Sequence, residues 1–213
     1  MWIALWVFAL IAFSELSTKM LVLPSAYFPS LAYVNSLLKN HKCTLDYHEN
    51  FIKQSIRSRC EIQSANGVLQ LNIPVIHNGK QPVALTEIDY TKNWQAEHLK
   101  AIASAYANAP HFEYYFYDLQ QLFLLKPQYL ATFNEAILKW IDTALGLALQ
   151  INWSEAYTGQ ITTDKKAWLG RDLQPTRPYT QVFNEHPDFV PNLSVIDGLM
   201  NEGPLLRRHF LPS

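Results

Sequence analysis

The spacing of apolar residues changes along the chain, and each change marks an element. Leu21, Val22 and Leu23 form a run with no polar break, the pattern of a strand buried on both faces. Pro24 and Pro29 bracket a turn-like segment. From Leu31 to Leu38 apolar residues recur at helical spacing, and Asn40 is a suitable stop. Between Cys43 and Pro74 the pattern becomes alternating. Asn66 and Gly67 sit between two such runs, and this dipeptide favours a tight hairpin because both central residues adopt positive φ. The predicted strands cover residues 56–63 and 68–74, with a further strand over 84–90. The period then becomes helical. Asn93 is placed to cap a helix through Tyr106, and Pro110 ends that segment. Residues 112–125 form a second helix. Pro127 opens a third, to about Leu147, with Leu130, Phe133, Ile137, Ile141 and Leu145 on one stripe and Gly146 weakening its end. Residues 151–153 return to the sheet. From Tyr157 to Pro191 the chain is polar and broken by prolines, as a long functional or covering loop is. Residues 193–200 form a short terminal helix, closed by Gly203 and Pro204, with Asn192, Ser194 and Asp197 as its capped start.

These elements predict an α/β fold, with α+β as the alternative. One compact domain carries an N-terminal strand–helix unit, a central sheet containing the hairpin and a helical C-terminal half. The domain is expected to span residues 20–213. Residues 2–13 are nearly all apolar, but the run is too short to span a bilayer as a helix and lacks the positive flank of a signal peptide. Met20 is the expected start, with residues 1–19 as an upstream extension; a membrane anchor is the competing reading.

Apolar residues make up 49% of the 213 and charged residues 16%, which argues against a disordered or coiled-coil chain. The net charge of -1 shows no basic excess, so no nucleic-acid partner is expected. Cys43 and Cys60 are too few for a disulfide framework and are not spaced as metal ligands, so they read as buried thiols in a cytoplasmic protein. There is no glycine-rich phosphate loop, no dinucleotide fingerprint and no Gly-x-Ser-x-Gly elbow. His48-Glu49 lacks the second histidine of a zinc helix. No metal or cofactor is expected.

The segment from Glu49 to Ile62 holds the most chemistry. If extended, it places Lys53, Arg57 and Arg59 on one face with Ser55 and Glu61, and Ile52, Ile56, Cys60 and Ile62 on the other. The first face is either an anion site, suited to phosphate or carboxylate, or a solvated face with ion pairs to Asp46 and Glu49. His98 lies four residues after Trp94 and four before Ile102, so it sits near the apolar side of its helix. It is a candidate general base; the competing reading is a core histidine with a satisfied hydrogen bond. Tyr27, Tyr114, Tyr115 and Tyr117 can line a sugar-stacking surface or pack in the core.

An ordered set of blocks carries a resemblance. LPSAYFP at 23–29 is followed by ENFIKQSIRSRCEI at 49–62 and LNIPV at 71–75. Next come WQAEH at 94–98, SAYANAP at 104–110 and FEYY at 112–115. YTQVF at 179–183, FVPNLSVID at 189–197 and NEGP at 201–204 complete the series. Together they resemble the WbqC-like proteins of bacteria from Met20 onward. Many relatives open with His-Gln-Pro where this chain has Leu23, Pro24 and Ser25, and Ser58 stands where they often carry asparagine. The resemblance implies a link to surface-polysaccharide or O-antigen biosynthesis. The function expected from it is a transferase that binds an anionic small molecule, a sugar phosphate or sugar nucleotide, and transfers a group to a sugar. Lys53, Arg57, Arg59, Tyr27 and Glu49 are its expected binding residues, and His98 its base. A non-catalytic carbohydrate-binding or accessory protein is the rival, and a hydrolase or transferase using Cys60 is a third possibility.

Overall fold

The computed structural model describes residues 21–40, 42–76, 79–159, 177–183 and 189–210. Strand β1 (Leu21–Pro24) leads into helix α1 (Leu31–Asn40), which returns to β2 (Lys42–Asp46). β2 lies parallel to β1 on one side and to β7 (Gln150–Trp153) on the other, so the sheet order is β1-β2-β7. Parallel neighbours need crossovers. Helix α1 is the first, and all the chain between β2 and β7 forms the second. Leu21, Leu23, Cys43 and Leu45 cluster with Tyr33 and Leu37 of α1, with Ile56, and with Leu138 from the far end of that second crossover.

The predicted hairpin forms from β3 (Arg59–Ser64) and β4 (Gly67–Asn72), with Ser64 opposite Gly67. It is a separate two-stranded sheet rather than part of the parallel one. Its inner residues Cys60, Ile62 and Leu71 join the main core with Ile102, Tyr106 and Ile196. β3 starts at Arg59, not at residue 56, because Ser58 N–H donates to the Ser55 carbonyl and turns the chain just before it. The strand expected over 84–90 is shorter than predicted. A 3-10 turn (Val83–Leu85) comes first, closed by the Thr86 hydroxyl donating to the Pro82 carbonyl. Only β6 (Glu87–Ile88) remains extended, paired with β5 (Val75–Ile76).

Three helices follow close to the predicted bounds: α2 (Trp94–Tyr106), α3 (Phe112–Leu124) and α4 (Leu130–Leu145). Asn93 precedes α2 without a side-chain cap bond. The predicted stripe of α4 is buried throughout. Gly146 ends that helix in the left-handed conformation, φ 56°, which glycine adopts without a Cβ penalty. The main core gathers α2, α3 and α4 with the hairpin and the last helix, α5 (Val195–Glu202). A 3-10 segment (Gly203–His209) follows α5.

Ser194 caps α5 as expected, its hydroxyl accepting from Ile196 N–H at 3.2 Å. Asn192 does something else. Its Oδ1 accepts from Ala32 N–H at 2.9 Å and so caps α1, far away in sequence. Leu31 N–H donates to the Leu193 carbonyl, Val195 N–H to the Pro29 carbonyl, and the Ser194 hydroxyl to the Phe28 carbonyl. Residues 28–32 and 192–195 are therefore tied together. The apolar run at 2–13, the expected start at Met20 and residues 160–176 and 184–188 of the covering loop lie outside the described residues. Among the described residues no helix is long and apolar enough to cross a membrane.

Asp197, fully buried on α5, fastens the described end of the loop. It accepts from Tyr106 Oη at 2.8 Å, from Gln181 Nε2 at 3.0 Å and from the Tyr179 hydroxyl. Burial raises its pKa, partly offset by these donors, Tyr179 first. An Asp197→Ala variant strands three buried donors, each worth about 1–3 kcal/mol. We expect a loss of roughly 3 kcal/mol or more in urea denaturation; a loss below about 1 kcal/mol would contradict the role given to this carboxylate.

Candidate functional site

The loop after β1 brings the family blocks together. Phe28 is fully buried and has φ 36°, an uncommon conformation for a bulky residue. The turn sends its ring against Phe123 and Trp140 and the preceding Tyr27 ring towards Phe133. Tyr27 N–H donates to the Ile56 carbonyl at 2.8 Å. The Tyr27 hydroxyl lies 2.7 Å from His98 Nδ1. His98 is buried and ringed by Trp94, Phe123 and Tyr27. Burial lowers its pKa to about 4, while a hydrogen bond to the Asn72 backbone pulls the other way. With the ring donating to Asn72, Nδ1 accepts from Tyr27 and the imidazole is neutral at pH 7.

The segment from Glu49 to Ser58 is not extended, so Lys53, Arg57 and Arg59 do not share a strand face. This corrects the arrangement expected from alternation; the chain between β2 and β3 folds through turns instead. Lys53 is exposed. Arg57 is 1% exposed and Glu49 2%. Arg57 Nε donates to Glu49 Oε1 at 2.7 Å, Nη2 to Oε2, and Nη1 to the Ser55 hydroxyl at 3.2 Å. An ion pair of Arg57 with Glu49 therefore forms, but inside the protein rather than on a solvated face. Arg59 is half-buried on β3, and its Nε has no hydrogen-bond partner among the described residues. Cys60 is buried, and burial pushes its thiol well up, with the Ser194 hydroxyl pulling partly back. Of the candidate tyrosines, Tyr27 and Tyr115 are buried, whereas Tyr114 and Tyr117 lie on the exposed side of α3.

A different set of groups meets at the carboxyl ends of β1, β2 and β7, the edge at which open parallel sheets commonly bind ligands. Asp46 ends β2. Its Oδ1 accepts from His48 N–H at 3.0 Å and Ser154 Oγ at 3.1 Å. Its Oδ2 accepts from Thr158 N–H at 3.0 Å and Thr158 Oγ1 at 2.7 Å. Burial would raise its pKa, yet these donors together hold it below the usual value. The carboxylate pins the chain after β7 to the end of β2. Tyr47 then stacks on Trp153, with ring centroids 4.8 Å apart and planes 21° from parallel. Trp153 remains 37% exposed, and His48, next to Tyr47 in sequence, is exposed. Behind Tyr47, Ser25, Tyr33 and Asn134 line a small cleft.

Sequence reasoning did not single out Tyr47, Asn134 or Trp153 as site residues. Asn134 lay within the predicted third helix without a role, and Trp153 ended the short predicted return to the sheet. Their signal is tertiary, since Tyr47 and Trp153 meet only through strand pairing of β2 with β7. A second, open groove between α3 and α4 is lined by Asp118, Leu122, Leu125, Lys139, Trp140 and Thr143, none of them a predicted site residue. Among the described residues no three His, Cys, Asp or Glu side chains are grouped to hold a metal ion.

Fold and site thus define a single mixed α/β domain with a small parallel sheet whose carboxyl edge carries an aromatic pair. A model of the WbqC-like protein family matches residues 25–174, and the chain belongs to that family. No curated protein and no solved structure matches it.

Two measurements check this geometry. Arg57→Ala should cost about 3–5 kcal/mol by taking the guanidinium away from the buried Glu49 carboxylate. Glu49→Ala/Arg57→Ala together should cost clearly less than the sum of the single changes; additive losses would contradict a closed pair. For His98, the folded pKa is depressed, so the stability held by the neutral ring is present above pH 6.5 and lost as pH falls towards 4. The loss should be about 3 kcal/mol, from a shift of about 2.5 units at 1.36 kcal/mol each. His98→Gln can make both hydrogen bonds but does not titrate. Urea denaturation across pH 7 to 4 should therefore show a shallower fall for the variant; parallel curves would contradict the assignment.

Proposed function

We propose that this chain binds a sugar of a bacterial surface-polysaccharide pathway at the carboxyl edge of its parallel sheet. The observation that carries the reading is the Tyr47–Trp153 pair: an indole 37% exposed, backed by a second ring and anchored through Asp46. The C–H face of a pyranose ring is apolar and packs on an aromatic plane, while its hydroxyls need polar groups close by. His48 and the cleft behind Tyr47 offer such groups. The family's link to polysaccharide biosynthesis supports a sugar as ligand.

The same geometry favours binding over chemistry by the groups expected to react. A neutral, caged His98 is a weak base at pH 7, since efficient general bases have pKa values near the working pH. Its hydrogen bonds suit a residue that holds Tyr27 in place. Arg57 has its charge matched by Glu49, so it suits a scaffold better than an anion clamp. Cys60 is buried and its thiolate strongly disfavoured, which leaves little nucleophile at neutral pH.

A second reading keeps the group-transfer enzyme acting on a sugar phosphate or sugar nucleotide. One observation favours it: Arg59 carries a buried Nε with no partner among the described residues, next but one to Arg57 on the same segment. Lys53, another of the expected binding residues, is exposed.

Isothermal titration with neutral methyl glycosides and with sugar nucleotides separates the two. On the first reading, Trp153→Ala weakens sugar binding at least tenfold and keeps the fold, because the ring is partly exposed. On the second, sugar nucleotides bind far more tightly than neutral glycosides, and Lys53→Ala/Arg59→Ala removes that preference while Trp153→Ala does not.

A further inference from the structure

The cleft behind Tyr47 has a more specific chemistry than an aromatic platform needs. It encloses about 10 Å³ and is lined by Ser25, Ala26, Tyr33, Leu45, Tyr47 and Asn134. Asn134 is 3% exposed. Its Nδ2 donates to Ser25 Oγ at 2.7 Å and to the Arg57 carbonyl at 2.8 Å. These two bonds fix the amide, and Oδ1 is buried without a partner among the described residues. The Tyr47 hydroxyl is likewise buried without one among them. Tyr33 offers no donor here, because its hydroxyl donates to the Pro24 carbonyl at 2.8 Å.

Two buried polar atoms in this state cost about 1–3 kcal/mol each unless something partners them, and both belong to residues that line the cleft. Asn134 Oδ1 can only accept, whereas the Tyr47 hydroxyl can donate or accept. Burial raises the Tyr47 pKa, so it keeps its proton. The retained Tyr47 O–H proton needs an acceptor and Asn134 Oδ1 needs a donor, so one group that serves both must donate as well as accept. An ionised phosphate or carboxylate oxygen cannot donate, and an ammonium cannot accept. A hydroxyl does both, and the volume admits one oxygen atom.

We propose that the notch formed by Ser25, Tyr47 and Asn134 is a hydroxyl-recognition subsite, filled by water in the free protein and by one hydroxyl of a bound sugar in the complex. The proposal rests on the carbohydrate-binding reading above and narrows it to a sugar recognised through a neutral hydroxyl. Tyr47 joins the two parts of the site: it stacks on Trp153 and is one of the residues that line the notch. Displacing an ordered water preserves affinity only when the incoming group reproduces its hydrogen bonds, and this requirement makes the notch selective for position and configuration.

Saturation-transfer NMR on the full chain tests it. The probes are the methyl α-glycosides of glucose, galactose, mannose, N-acetylglucosamine and N-acetylgalactosamine, followed by the monodeoxy analogues of whichever binds. We expect Tyr47→Phe, which keeps the stacked ring, to raise Kd about tenfold. One deoxy position should lose as much on the parent protein, and nothing further on Tyr47→Phe. The deoxy series on the parent protein reads the notch even if the variant fails to fold. If every deoxy analogue and Tyr47→Phe bind as the parent pair does while Trp153→Ala loses binding, the notch holds water only; the proposal is then overturned and the platform stands. If no glycoside binds the parent protein, the carbohydrate reading falls and the subsite with it.

Discussion

The left-handed turn at Phe28 is the constraint around which the rest of the structure is arranged. A phenylalanine at φ 36° is strained, and such a conformation persists only where its surroundings over-determine it. Here they do. The Phe28 carbonyl accepts from Ser194, the Tyr27 amide reaches Ile56, and the Tyr27 hydroxyl reaches His98. Both rings are locked among Phe123, Phe133 and Trp140. Residues from both ends of the described chain and from the helices between them thus meet at one turn. Its other consequence is position: the turn directs Ser25 and Ala26, at the end of β1, towards α4 and the end of β2, where the notch lies.

Charge follows the same logic. Glu49 and Arg57 sit in the segment between β2 and β3, where no regular ladder satisfies the backbone, and their paired hydrogen bonds hold that segment in shape. A buried pair of this kind contributes little net stability against an apolar replacement, but removing one partner is costly. It therefore specifies a loop conformation more than it adds stability. The Arg57 carbonyl then orients Asn134, so the ion pair reaches the notch through the backbone rather than through its charge. Asp46 does the corresponding work for the chain after β7.

Elements with long, strongly periodic patterns were legible in the sequence. The α4 stripe, the Asn66-Gly67 hairpin and the apolar β1 run all form close to where spacing places them. Alternation misled at 49–58, because Ile52 and Ile56 alternate with polar residues in a segment that is turned, not extended. Period alone cannot separate those cases when the polar residues are buried and bonded to each other. Asn192 illustrates a related limit. Its sequence context suggests the α5 cap, yet it caps α1, since only the tertiary fold brings that helix alongside. The candidate site was the least legible part. Tyr47, Asn134 and Trp153 become neighbours through the pairing of β2 with β7 and the docking of α4, contacts that no local pattern announces.

The carboxyl edge of the parallel sheet is the proposed meeting place of this WbqC-like chain and its ligand. Chemical-shift mapping on the isotope-labelled protein tests it most directly, with a methyl glycoside titrated into the full chain. The indole N–H of Trp153 should shift, together with the backbone amides of Ser25, Tyr47 and Ser154, while those around Lys53 and Arg59 stay in place. Shifts confined to Lys53 and Arg59, or none anywhere with neutral or anionic sugars, would contradict the account.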